Sequence, residues 1–244
     1  MIDLTVASYN IHKAVGIDRR RDPARITAVI AEIGADIIAL QEADRRFGSR
    51  AGLLDLEALR RDLGLIAVPM QTHRKAHGFH GNLLLVRDAL VEAVHQLDLP
   101  GIEPRGALMA DLTIQRQSIR VIAAHLGLTA GSRLRQAQKI LERLQRLDER
   151  PTLLMGDLNE WRAAGRSSLD PLLAHFRPTA SLRSFPSRFP MLSLDRVMTC
   201  ARSDLSGIEV HRSKLAQVAS DHLPVKARLR FNSTAAGLLL PQSS

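Results

Sequence analysis

One segment, Thr152-Leu153-Leu154-Met155-Gly156-Asp157-Leu158-Asn159-Glu160, sets the interpretation of the whole chain. Its apolar part is typical of a short buried strand, and a glycine, two acids and an amide follow where that strand ends. Open α/β sheets bind their ligands in this position, outside the carboxyl ends of the strands. The segment therefore predicts a sheet-based fold with oxygen-rich chemistry at one edge.

The composition is that of a globular chain large enough to bury a substantial core. It has 244 residues, of which 45% are hydrophobic, and α/β chains of this length commonly form one domain. Neither a repeat nor a linker interrupts it. We expect a single catalytic domain over residues 1–231 and a loosely ordered tail over residues 232–244.

Several features bear on where the protein works. Its apolar runs are far shorter than the roughly 20 residues that cross a bilayer, and its first residues lack the basic and apolar regions of a secretory signal. The single cysteine, Cys200, cannot form an internal disulfide, which is typical of a reducing compartment. We expect a cytoplasmic monomer with no transmembrane segment.

The charge favours an anionic partner. The formal net charge is +9, which suits nucleic acid, anionic lipid headgroups or phosphorylated metabolites. The arginines are scattered through most predicted helices, and aromatic residues make up only 3% of the chain, which leaves little material for stacking bases. Nucleobases are therefore not the expected ligand.

Helical and strand patterns alternate along the chain. Helices are predicted over residues 22–34, over residues 53–63, and from a cap at Ser132 to about residue 147. Strands are predicted at residues 4–10, 36–40, 81–86, 90–97, 107–114, 118–125, 152–157, 194–199, 207–211 and 223–231. The four strands between residues 81 and 125 are adjacent, which suggests antiparallel pairing. The pattern predicts an α/β (α+β) protein with two packed mixed sheets and helices outside.

Polar residues recur where the predicted strands end. Any one of them alone would be interpreted as a cap or a turn residue, but capping does not explain why acids, amides and histidines recur there. Oxygen ligands without thiolates suit Mg²⁺ or Mn²⁺, and the chain lacks the motifs of a zinc site. The residues are Asn10, Glu42, His125, Asp157, Asn159 and Asp195, with Asp221 and His222 before the last strand.

Other catalytic schemes fit the sequence less well. Gly-x-Ser-x-Gly, the P-loop motif and Gly-x-Gly-x-x-Gly are all absent from it. A glycosidase with Glu42 and Asp157 as its paired acids remains open by residue type. That scheme would leave the histidines and asparagines without a role.

Seven short motifs follow one another along the chain. They are Ala7-Ser8-Tyr9-Asn10-Ile11-His12-Lys13, Leu40-Gln41-Glu42, His80-Gly81-Asn82-Leu83-Leu84-Leu85, His125-Leu126-Gly127-Leu128, Gly156-Asp157-Leu158-Asn159-Glu160-Trp161, Leu194-Asp195-Arg196-Val197 and Ser220-Asp221-His222-Leu223-Pro224-Val225. In this order they resemble the endonuclease/exonuclease/phosphatase superfamily, in its compact bacterial metal-dependent hydrolase type. The resemblance extends from Asn10 to about residue 229 and implies a four-layered α/β sandwich and metal-dependent hydrolysis of a phosphoester.

The resemblance also implies a role for each matched residue. Glu42 would be the principal metal carboxylate, completed by Asn10 and Asp221. Asp157 would align and deprotonate the attacking water, with Asn159 holding it in position. His125 and His222 would donate to phosphate oxygens, and Asp195 would pair with His222. A His222 supported by Asp195 could itself be the base, and the sequence leaves both assignments open.

The substrate is less sharply defined than the reaction. His80 and Asn82, from the third motif, are candidate substrate-binding residues, as are His12 at the end of the first strand and Trp161 after the Gly-Asp motif. The segments between motifs are short and poor in aromatic residues, which disfavours a nuclease that kinks duplex DNA. The leading hypothesis, which follows from the resemblance to compact bacterial members, is a Mg²⁺-dependent phosphodiesterase or phosphatase acting on a small or lipid-linked phosphoester. A DNA or RNA nuclease and a catalytically silent phosphate-binding module of the same fold are the alternatives.

Overall fold

In the computed structural model, which describes residues 3–45, 51–71, 75–162, 167–177 and 179–231, the strands form two sheets. The predicted tail at residues 232–244 lies outside the described residues. The strands are β1 (Asp3–Asn10), β2 (Ile37–Gln41), β3 (Leu65–Ala67), β4 (Leu83–Arg87), β5 (Ala89–Leu99), β6 (Arg105–Ile114), β7 (Gln117–His125), β8 (Thr152–Asp157), β9 (Asp195–Thr199), β10 (Ser203–Val210) and β11 (Val225–Phe231). The helices are α1 (Pro23–Ile33), α2 (Leu56–Leu63), α3 (Ala130–Leu144) and α4 (Ala216–Ala219), with 3₁₀ turns at His12–Ala14 and Asp170–Ala174.

Both sheets are mixed, as predicted. The first has the order β10-β11-β1-β2-β4-β3 and the second the order β5-β6-β7-β8-β9. Only β1 with β2 and β7 with β8 pair in parallel among the described strands, and the other neighbours are antiparallel. Each parallel pair is connected through a helix, because a crossover is needed to bring the chain back to the same edge.

Alternate residues of each strand face different layers. In β2, Ile37 and Ala39 join the apolar cluster between the two sheets, whereas Ile38 and Leu40 join the cluster beneath α1, α2 and α4. A third cluster lies between the second sheet and α3, and includes Leu154. These three buried interfaces separate four layers, which confirms the predicted sandwich. No helix among the described residues is long and apolar enough to cross a bilayer.

Two details of the predicted elements were wrong. The strand at β4 does not pair with β5, because Asp88 adopts a φ of 47° and the chain passes there from the first sheet to the second. The cap of α3 is Thr129, whose Oγ1 accepts a hydrogen bond from the Ser132 backbone N–H at 3.3 Å, and the helix ends at Leu144. Ser132 itself lies buried in the first turn.

Candidate active site

The register of the second sheet aligns three of the predicted site residues. Asp157 at the end of β8 lies beside His125 on the parallel strand β7 and opposite Asp195 on the antiparallel strand β9. Asp195 therefore begins its strand, although the sequence suggested a strand end. The start of an antiparallel strand lies at the same sheet edge as the end of its neighbour, so the expected grouping still forms.

Gly156 allows β8 to pack closely against β7. A Cβ atom at this position would lie 1.8 Å from the Ala124 carbonyl oxygen, so a side chain cannot be accommodated without moving the backbone. The glycine in the Gly-Asp motif thus has a steric reason. It fixes the position from which Asp157 emerges.

Asp157 is the centre of the site and joins the two sheets. Its Oδ2 accepts a hydrogen bond from the Asn10 side-chain Nδ2 at 3.0 Å, across from the end of β1, and its Oδ1 accepts from the Asn159 backbone N–H at 3.0 Å. The Nε2 atoms of His125 and His222 lie 3.5 and 3.7 Å from the same Oδ2. Donors therefore converge on one buried carboxylate.

His222 forms a buried charged pair with Asp195. Its Nδ1 lies 2.9 Å from Asp195 Oδ2, which also accepts a hydrogen bond from Ser184 Oγ, and the Phe185 ring packs 4.8 Å from the imidazole. Burial disfavours the imidazolium, but Asp195 and then Asp157 outweigh burial and raise the pKa of His222 to about 10. His222 is therefore a cation at neutral pH.

His125 has the opposite charge state. Burial lowers its pKa to about 4, although Asp157 opposes this shift. At neutral pH its ring is uncharged and can donate one hydrogen bond from whichever nitrogen carries the proton. The site therefore combines one charged and one neutral imidazole around Asp157.

Glu42 is an ionised carboxylate that faces a cation. It lies at a φ of 56°, just beyond β2, and the Lys13 ammonium contacts its Oε2. Burial opposes its charge, but His125 and Lys13 lower its pKa to about 2. Because His125 is uncharged at neutral pH, Lys13 is then the cation that faces Glu42.

The remaining predicted metal ligands lie close by but are already engaged. Asn10 Oδ1 accepts a hydrogen bond from the His12 backbone N–H at 3.0 Å. Asp221 is partly exposed, and its Oδ1 lies 3.7 Å from His12 Nδ1. The hydroxyl of Ser220 donates to the Asn10 carbonyl at 2.7 Å and so ties the loop before β11 to the end of β1.

A second group could also hold a cation. Asp157, Asp195 and His222 each offer a ligand atom, and these atoms lie within 4.8 Å of one another. His222 would have to lose its proton to become a ligand, which its high pKa disfavours. Glu42 is already ionised, and the cation that faces it is the Lys13 ammonium.

A cleft of about 570 Å³ opens beside Glu42 and His125. His80 lines it, and its Nε2 lies 2.8 Å from Asp98 Oδ1. Arg105 at the start of β6 lines it as well, and the charge of this arginine helps to lower the pKa of His125. Sequence patterns did not single out Arg105. Its position in the cleft, at the start of β6, becomes visible only when the neighbouring strands are known.

Two predicted substrate-binding residues have other surroundings. Asn82 is fully buried, and its Nδ2 donates to the backbone carbonyls of Phe79 and Gly106 at 3.1 and 3.0 Å, while its Oδ1 has no hydrogen-bond partner among the described residues. Trp161 is exposed outside the cleft, with the guanidinium carbons of Arg133 and Arg162 within 6 Å of its ring centroid, at 5.8 and 5.9 Å.

A buried ion pair supports the loop that follows Asp157. Glu160 accepts hydrogen bonds from Arg133 at 3.3 Å and from the Ser168 backbone N–H at 3.0 Å. Burial opposes its charge, but these donors, with Ser168 contributing most, lower its pKa to about 2. The preceding residue, Asn159, has a φ of 52° and donates to the Leu126 carbonyl at 2.9 Å. No sequence pattern indicated the pair of Arg133 and Glu160.

Comparison with known proteins places these features in a family context. The sequence model of the Endonuclease/Exonuclease/phosphatase family matches residues 7–222. The uncharacterized protein YbhP of Escherichia coli (strain K12) is 30% identical over 166 residues, which cover 63% of this chain and 64% of YbhP. The chain therefore spans less than two thirds of the length of this curated relative.

Solved structures show the same fold at lower identity. An endonuclease/exonuclease/phosphatase from Beutenbergia cavernae superposes with a TM-score of 0.72 at 24% identity, covering 95% of this chain and 72% of that one. The mannosyl-6-phosphatase Bt3783 of Bacteroides thetaiotaomicron superposes with a TM-score of 0.69 at 19% identity, covering 93% of this chain and 100% of that one.

Proposed function

Because the chain belongs to the endonuclease/exonuclease/phosphatase family, whose members hydrolyse phosphoester bonds, we propose that it is a divalent-metal-dependent phosphoester hydrolase. The observation that carries the proposal is the convergence of Asn10, His125, Asn159 and His222 on the buried Asp157 carboxylate. A carboxylate held in this way is fixed in one orientation and can position a water for attack. Neither the core nor the sheet register requires so many polar groups at one edge.

The donor set fits Mg²⁺ or Mn²⁺. Glu42 is ionised and already faces the Lys13 ammonium, so the position stabilises positive charge. Glu42 would hold the metal, with Asn10 and Asp221 supplying further oxygens. When bound, the metal would neutralise charge that develops on the phosphoryl group and its leaving oxygen.

The protein groups divide the remaining work. Asp157 accepts a proton from the water that attacks phosphorus, and the bond from phosphorus to the leaving oxygen breaks. His222 stays protonated at neutral pH, so it donates to a non-bridging oxygen and does not act as the base. Asp195 keeps it charged and oriented, while neutral His125 offers a second donor. We therefore propose Asp157, and not His222, as the base.

The substrate we favour is a small or lipid-linked phosphoester. The cleft has room for a headgroup-sized ligand, and His80 and Arg105 line it beside Glu42. The phosphatase named among the structural relatives is in keeping with a small substrate. The net charge of +9 is the observation that favours the second candidate, a nuclease.

Purified protein assayed with Mg²⁺, Mn²⁺ or EDTA tests the proposal. The panel comprises bis-p-nitrophenyl phosphate, p-nitrophenyl phosphate, plasmid DNA and an RNA oligonucleotide. We expect EDTA-sensitive turnover of a p-nitrophenyl ester, lost in Asp157→Asn and kept in the matched variant Asp62→Asn, whose carboxylate is exposed on α2 and pairs with Arg61. Plasmid or RNA cleavage lost in Asp157→Asn would favour the nuclease. No turnover of any substrate would support a silent phosphate-binding module.

A further inference from the structure

Large exposed hydrophobic side chains concentrate at the active-site edge of the second sheet. Five of the nine that occur among the described residues lie in loops at this edge, and they are 53% to 79% exposed. Scattered exposed hydrophobic residues are normal, but a row along one edge is not scattering. We name this row the apolar rim, and its members are Ile102, Leu128, Trp161, Phe189 and Met191.

The loops that carry the rim follow the strand order of the sheet. Ile102 lies between β5 and β6, Leu128 follows β7, Trp161 follows β8, and the loop with Phe189 and Met191 precedes β9. Each connection therefore leaves the sheet at the edge where Asp157 lies.

Contacts join neighbouring parts of the rim. The Leu128 backbone N–H donates to Glu103 Oε1 at 3.4 Å, which connects the first two loops. Arg133 donates to the Leu128 carbonyl at 2.7 Å and lies over the Trp161 ring, which connects the second and third. The rim is thus continuous from the loop before β6 to the loop after β8.

The loop that carries Phe189 and Met191 is held in a fixed shape. The Met191 N–H donates to the Phe185 carbonyl at 2.8 Å, and the Ser187 N–H donates to the Asp221 carbonyl at 2.7 Å. Ser187 Oγ also donates to the Ser220 carbonyl at 2.7 Å. The apolar side chains are therefore presented to solvent by a loop anchored beside His222.

Basic side chains accompany the apolar ones. The Arg162 guanidinium carbon lies 5.9 Å from the Trp161 ring centroid, and that of Arg188 lies 5.6 Å from the Phe189 ring centroid. Both arginines are exposed, and the chain carries a net charge of +9. In an anionic bilayer, apolar side chains can enter the acyl-chain region while neighbouring arginines bind the headgroups.

We propose that the apolar rim docks on an anionic phospholipid bilayer and so brings the cleft to a membrane surface. Ile102, Leu128 and Met191 have no π-face on which a nucleobase could stack, whereas acyl chains accept aliphatic and aromatic side chains alike. Lipid is therefore favoured over single-stranded nucleic acid. Membrane docking rests on the proposed function in one respect only, because it names the surface where the hydrolase would meet its substrate.

Vesicle co-sedimentation tests docking without any turnover. The vesicles contain phosphatidylcholine alone or phosphatidylcholine with phosphatidylglycerol, and the variants are Phe189→Ser with Met191→Ser, and Ile102→Ser. The matched control is Leu90→Ser with Ile66→Ser, which removes side chains that are 66% and 51% exposed away from the rim. We expect the native protein to bind the anionic vesicles, the double rim variant to bind about tenfold more weakly or worse, and the control to bind like the native protein.

Several outcomes would overturn the proposal. One is that the native protein does not bind anionic vesicles at low salt, and another is that the control variant loses as much vesicle binding as the rim variant. The proposal would also be overturned if the native protein bound a single-stranded oligonucleotide, or associated with itself, and only the rim variant lost that property. Hydrolysis of bis-p-nitrophenyl phosphate and the thermal unfolding temperature are measured in parallel. Unchanged turnover with lost vesicle binding separates failure of docking from failure of the hydrolase proposal.

Discussion

Replacing Asp195 by asparagine tests how the charge of His222 is maintained. The amide keeps an oxygen that can accept from His222 Nδ1, now 2.9 Å from the carboxylate, but it removes the negative charge. Asp195 and His222 are both buried, so water screens their interaction little. We therefore expect the variant to fold normally and to hold a His222 that loses its proton at a lower pH.

The size of the shift follows from the surroundings of His222. A carboxylate in contact typically moves a pKa by about 1–3 units, and each unit corresponds to about 1.4 kcal/mol. Asp157 at 3.7 Å remains in the variant and supports part of the charge, while burial opposes it. The pKa of His222 should thus fall from about 10 by about 1–3 units.

Two measurements follow this shift. The first is the pH dependence of kcat/KM for bis-p-nitrophenyl phosphate, whose alkaline limb should move toward neutral pH in Asp195→Asn. The second is the NMR titration of the His222 ring proton, which does not depend on activity. Glu32→Gln is the matched control, because the Glu32 carboxylate also lies close to a histidine nitrogen, 3.0 Å from His211 Nε2, but this pair is partly exposed and does not line the cleft. An unchanged limb and titration in Asp195→Asn, or an equal shift in the control, would refute the reasoning.

Three further predictions concern the metal, the fold and the pH dependence of stability. Glu42→Gln should raise the metal concentration for half-maximal turnover by more than about tenfold, because it removes the charged ligand, and it should lower the unfolding temperature of the metal-free protein, because the Lys13 ammonium loses its partner; an unchanged metal requirement would contradict this role. Gly156→Ala should lower the free energy of unfolding by about 3 kcal/mol or more, because its Cβ would lie 1.8 Å from the Ala124 carbonyl oxygen. The control is Gly131→Ala, at an exposed helical site, which should not destabilise the protein. Equal losses of stability for the two variants in urea titrations would contradict the steric argument. The raised pKa of His222 implies stabilisation that is complete below its ordinary pKa of 6.5 and lost as pH rises through about 10; the free energy of unfolding should fall over this window in the native protein and fall less in His222→Gln.

The sheets and the edge that carries the site were accessible to sequence reasoning for a physical reason. Both faces of a central strand such as β2 are buried, because Ile37 faces one apolar cluster and Ile38 faces another. The sequence of such a strand is therefore a continuous apolar run. Polar residues directly after such runs lie at the sheet edge whatever the order of the strands. Asp157 could therefore be found without knowing its neighbours.

Pairings that span the whole chain could not be found in this way. The hydrogen bond from Asn10 to Asp157 joins residues 147 positions apart, and it depends on how the two sheets pack. The passage of the chain at Asp88 from one sheet to the other depends on a single backbone conformation. The buried pair of Arg133 and Glu160 had no local pattern either, because its partners belong to separate elements. The predicted single domain, monomeric state and cytoplasmic location stay predictions.

In the proposed mechanism a water held by Asp157 attacks the phosphorus of a phosphoester. Hydrolysis of bis-p-nitrophenyl phosphate in ¹⁸O-labelled water, followed by mass spectrometry of both products, shows which bond is broken. We expect metal-dependent turnover with the label in p-nitrophenyl phosphate and none in p-nitrophenol, at a rate that collapses in Asp157→Asn. Label in p-nitrophenol, or full turnover in Asp157→Asn, would contradict this mechanism.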